Sequence, residues 1–70
     1  MDKQTVIREM KSFVGGGSFI TVTKLAKFMG KEKEFAYRLV SGLEKIPGEV
    51  KGTKYFIPDV AGRIMEVKQQ

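Results

Sequence analysis

Gly30 divides two short amphipathic runs, and no other feature restricts the fold of this 70-residue chain as much. Before it, Leu25, Ala26 and Met29 recur at i, i+1 and i+4, the spacing that puts side chains on one helix face. After it, Phe35, Ala36, Leu39, Val40 and Leu43 repeat such a face. Glycine enters the left-handed region without the steric cost other residues meet, so Gly30 can end one helix and redirect the chain. The small Ala26 side chain lets two helices cross closely. The pattern predicts paired helices at a steep angle, the second running from about Glu32 to Ser41 and ending near Gly42.

A chain of this length makes one small domain, residues 1–70, with a narrow stability margin and no room for a separate catalytic domain. It holds no cysteine and no histidine. Disulfides and thiolate zinc sites are therefore ruled out, and the usual general base and commonest metal ligand are missing. Glu32 and Glu34 stand at i, i+2 and face apart on a helix. No catalytic residue, metal or cofactor is expected. The polar start and short apolar runs predict neither a signal peptide nor a membrane span, hence a soluble cytoplasmic protein.

Upstream of the paired helices, Val6, Ile7, Met10, Phe13 and Val14 share a face, predicting a helix from Asp2 or Thr5 to Val14. Gly15-Gly16-Gly17-Ser18 stops it and reads as a flexible connector, since no Gly-Lys-Ser/Thr ending follows to make a phosphate loop. Phe19-Ile20-Thr21 is β-prone, and Thr21 or Thr23 can cap the next helix. Downstream, Ile46-Pro47-Gly48 is turn-like. Glu49-Val50 and Tyr55-Phe56-Ile57 then read as strands of a hairpin, about 49–57, with its tip at Gly52. Pro58-Asp59 opens a last helix, about 59–68, whose Val60, Ile64 and Val67 face closes the core or, alternatively, forms a homodimer seam.

Thirteen Lys and Arg against eight Asp and Glu leave a net charge of +5, which favours an anionic partner. Residues 19–31 hold three lysines and no carboxylate, whereas residues 32–44 hold Lys33 and Arg38 against Glu32, Glu34 and Glu44. Lys24, Lys27 and Lys31, at i, i+3 and i+7, make a row that can lie along a phosphate backbone or simply be a wet helix face. Burial of the apolar positions points Lys33, Glu34, Tyr37, Arg38 and Ser41 outward on the second helix. There Arg38 can bond guanine or phosphate, Lys33 can reach the backbone, and Tyr37 can donate to a phosphate. Lys51 and Lys54, read as the hairpin tip, can touch a phosphate or enter a minor groove, or else keep a strand edge soluble.

The order helix, short strand, paired helices, hairpin, helix resembles the winged helix-turn-helix, a mostly helical α+β fold. More narrowly, Ile20-Thr21-Val22, the Leu25-Ala26 to Gly30 spacing, Tyr37-Arg38-Leu39 and Lys54-Tyr55-Phe56-Ile57-Pro58-Asp59-Val60 resemble excisionase-type domains and the DNA-binding module of merR-like regulators. The resemblance covers about two-thirds of the chain through short, degenerate motifs, and sets the helix-turn-helix at about 21–42. It implies that the second helix enters the major groove through Lys33, Glu34, Tyr37 and Arg38, with Lys51 and Lys54 on the backbone or minor groove. The chain departs from the family at Lys31, where an apolar residue is usual, and at Glu32, where a serine or threonine cap is usual.

The favoured function is duplex DNA binding in transcriptional regulation or recombination. Glu34 and the near-neutral second helix keep a protein-binding module as the alternative, and small winged-helix ribosomal proteins share enough of the pattern to keep RNA as a third.

Overall fold

The computed structural model describes residues 2–47 and 52–68. It is a mostly helical α+β domain of four helices and a small antiparallel sheet. Helix α1 spans Lys3–Phe13, strand β1 Phe19–Thr21, helix α2 Val22–Met29 and helix α3 Lys33–Leu39. Strands β2, Ile46–Pro47, and β3, Thr53–Phe56, lead into helix α4, Ile57–Lys68.

Helix α1 begins where Asp2 Oδ1 accepts from the Thr5 amide at 2.8 Å, the N-cap expected of a short acidic side chain. Val6 and Met10 are buried, and Ile7 and Val14 pack against the core. Phe13, expected on that buried face, is 46% exposed. It occupies the last turn of α1, and its ring meets Phe28 edge-on with centroids 5.5 Å apart. The glycine run is more ordered than a flexible connector. Gly15 and Gly16 donate back to Ser12 O and Lys11 O, closing α1 with the paired bonds of a Schellman turn. Ser18 O then accepts from the Ile57 amide at 2.9 Å, tying the connector to the far end of β3.

The sheet has the order β1-β3-β2, with Ile20 opposite Tyr55 and Ile46 opposite Lys54. Ile46–Pro47, expected to be turn-like, is a strand paired with β3, and Glu49-Val50, expected as the first hairpin strand, lies outside the described residues. Proline is tolerated there because β2 is an edge strand, where a missing N–H breaks no ladder. The last helix starts at Ile57, one residue earlier than Pro58, because Ile57 is fully buried beneath it while Pro58 takes a first-turn position that needs no amide donor.

The core is continuous across the elements. Leu25 and Ala26 of α2, Ala36 and Leu39 of α3 with Val40 just beyond it, and Val60, Ala61 and Ile64 of α4 are all buried. Ile20 and Tyr55 cover it from the inner face of the sheet. Met29 and Leu43 pack against its margin, and Phe35 is only half-buried. Of the α4 positions considered for a homodimer seam, Val60 and Ile64 are taken by this core and only Val67, at 45%, is exposed.

Candidate nucleic-acid interface

The α2–α3 corner is built as its glycine demands. Gly30 has φ 68° and ψ 32°, and its amide donates to Lys27 O while the Lys31 amide donates to Ala26 O at 3.0 Å. At the other end of α2, Thr21 Oγ1 accepts from the Lys24 amide at 3.3 Å. Helix α2 is thus capped at both ends by its own sequence. At α3 the departure at Glu32 has a visible counterpart. Glu32 occupies the N-cap, and its side chain makes no capping hydrogen bond.

Helix α3 turns one arc inward and one outward. Ala36 and Leu39 are buried, so Lys33, Glu34, Tyr37 and Arg38 fall on the opposite arc, all exposed. Tyr37, at 59%, is the most exposed of the chain's large hydrophobic side chains among the described residues. Nothing in the core explains an aromatic ring held there.

The other candidate residues divide. Lys24 and Lys27 are exposed on the outer side of α2, about 60° apart around its axis. Lys31 does not continue their row. The left-handed turn at Gly30 ends the helix before it, and Lys31 Nζ lies 5.6 Å from the centre of the Phe35 ring. Ser41, just past α3, is exposed. Lys51 is outside the described residues. Lys54 is not at a hairpin tip. It lies in β3, the central strand, between Thr21 and Ile46, because the strand that pairs with it on that side is Ile46–Pro47, earlier in the chain than expected. Its side chain is exposed on the outer face of the sheet, which it shares with Phe19 and Phe56. Those two rings contact each other, with centroids 5.5 Å apart.

Local sequence pattern does not single out Arg63. From α4 its guanidinium Nη1 donates to Leu39 O at 3.1 Å and to Ser41 O at 2.7 Å. It satisfies carbonyls at the end of α3 and brings positive charge to the negative end of that helix. Arg63 is therefore a positioning residue for the helix bearing Tyr37 and Arg38. In the sequence Arg63 is one of four charged residues on α4, and nothing local points to a partner 24 residues earlier.

No protein-family model matches the chain, and no curated protein or solved structure matches it. No helix among the described residues is long and apolar enough to cross a membrane.

Proposed function

We propose that this chain is a winged helix-turn-helix module that binds duplex DNA and serves as a small transcriptional regulator or a recombination accessory factor. The observation that carries the reading is the outer arc of α3: Lys33, Glu34, Tyr37 and Arg38 project together from a helix whose opposite arc is locked into the core. In this reading α3 enters the major groove. Arg38 pairs with a guanine edge or a phosphate, while Lys33 and the Tyr37 hydroxyl meet the backbone. Lys24, Lys27, Lys31 and Ser41 supply further backbone contacts at the flank of α3. The β2–β3 hairpin forms the wing, with Lys54 exposed on its outer face; Lys51, the other lysine expected there, lies outside the described residues.

Binding is then largely electrostatic and falls steeply with salt. Each phosphate contact removed lowers the slope of log K against log[salt] by about 0.9. Fluorescence anisotropy with a labelled random-sequence duplex, across a salt series, tests this. Lys33→Ala and Lys54→Ala should each weaken binding and flatten the slope by about one contact. If neither variant nor Arg38→Ala changes affinity at moderate salt, the proposed surface is wrong.

The mixed charge of α3, with Glu34 between Lys33 and Arg38, supports one competing reading, a winged-helix module that binds protein. Retention on heparin no stronger than that of a charge-matched control would favour it. Stronger binding to structured RNA than to duplex DNA in direct competition would instead move the partner to RNA.

A further inference from the structure

The outer face of the sheet holds two phenyl rings that the core does not use. The register defines that face: Phe19 stands opposite Phe56, and Lys54 stands between Thr21 and Ile46. These residues alternate with Ile20 and Tyr55, which are buried on the core side. Phe19 and Phe56 remain 39% and 40% exposed. Their ring planes are inclined at 47°, so neither ring covers the other. Lys54 lies two residues from Phe56 on the same strand and the same side, exposed. It is the one charged residue of the face among the described strand residues, and Glu44 and Lys45, of opposite sign, precede β2 outside the ladder. At the Thr21 end the Lys24 amide donates to Thr21 Oγ1, so the backbone of a second exposed lysine borders the face.

We propose that this face is a stacking platform for the unpaired bases of single-stranded DNA, separate from the duplex-binding arc of α3. An unpaired strand presents flat π-faces on an anionic backbone, and the face offers a counterpart to each: two rings for the bases and Lys54 for a phosphate. Stacking of this kind tolerates any sequence, because every base has a π-face. Apolar side chains exposed one at a time are ordinary on a protein surface. Here two rings are paired across neighbouring strands beside a cation, on a chain whose net charge of +5 draws polyanions toward it. The choice of DNA as the strand rests on the duplex-DNA reading above. The platform has no group dedicated to a 2′-hydroxyl, since Thr21 Oγ1 already caps α2.

Fluorescence anisotropy with a labelled oligothymidylate of about 12 nucleotides, within the span of one small single-strand-binding domain, reads the binding directly. Phe19→Leu and Phe56→Leu should each weaken it about fivefold or more, because leucine keeps apolar cover but has no ring for a base to stack on. Phe19→Tyr should stay within about threefold of the parent. Lys54→Gln should flatten the slope of log K against log[salt] by about 0.7, the value for one phosphate contact on a single strand. Both rings are exposed, so these variants should keep the parent's circular dichroism. Duplex binding, measured in parallel, separates the two sites: Arg38→Ala should weaken it and spare oligothymidylate, and Phe19→Leu should do the reverse. Failure to bind oligothymidylate at low salt, leucine variants equal to the parent, or loss of oligothymidylate binding in Arg38→Ala overturns the proposal while leaving the duplex reading to its own test. Tighter binding of an oligouridylate of the same length overturns the choice of DNA.

Discussion

Replacing Arg63 with methionine removes the link between α4 and the end of α3 while keeping most of the aliphatic volume. In the folded protein the guanidinium donates to the part-buried Leu39 carbonyl at 3.1 Å and the exposed Ser41 carbonyl at 2.7 Å. A hydrogen bond from a charged donor contributes roughly 1.5–3 kcal/mol when the acceptor is shielded, and far less where water can take over. We therefore assign about 1.5 kcal/mol to the Leu39 bond, and about 0.5 kcal/mol to the Ser41 bond together with the interaction with the helix dipole. The sum is about 2 kcal/mol, which in a domain of this size lowers Tm by roughly 8–16 °C. Urea unfolding followed by circular dichroism should show the midpoint falling with an unchanged m-value. Arg63→Lys should recover only part of the loss, because an ammonium lacks the planar fork. If Arg63→Met stays within about 0.5 kcal/mol of the parent, well below the roughly 1.5 kcal/mol assigned to the Leu39 bond alone, the account of how α3 is held is wrong.

Further outcomes follow from the caps. Gly30→Ala should cost about 1 kcal/mol in the same urea assay, purely from backbone strain, since φ is 68° and nothing lies within 4 Å of the added methyl. Thr21→Ala should cost about 1 kcal/mol through loss of the α2 N-cap, whereas Thr21→Ser should be nearly neutral. The Asp2 carboxyl is held below its ordinary value of 3.8, first by its hydrogen bond from the Thr5 amide. A depressed folded-state pKa means that this stabilisation is fully present above pH 3.8 and is lost as pH falls through the folded value. The acid limb of a pH–stability curve for Asp2→Asn should therefore be shallower than that of the parent, and an identical limb would refute the role of the charge.

Much of the fold was legible because its signals are local. The helix-spaced apolar residues and Gly30 announced α2 and α3, and burial of Ala36 and Leu39 follows from the same periodicity that exposes Tyr37 and Arg38. The departures arose where partners are distant in sequence. Strand β2 is only two residues long, and its pairing depends on where β3 lies between β1 and β2. Register of that kind leaves little trace in composition. The position of Lys54 changed with it, from a loop tip to the middle of a sheet. Lys31 left the lysine row because the hydrogen bonds after Gly30 end the helix first.

The sequence by itself determined the helices, the caps of α2, the corner at Gly30 and the outward arc of α3, since each depends on residues within a turn or two of one another. The tertiary structure alone decided the strand pairing, the anchoring of α3 by Arg63, and the exposure of Phe13 and Val67. These depend on how far one element overhangs another and on which carbonyls are left without a donor, quantities that exist only once the helices and strands have packed.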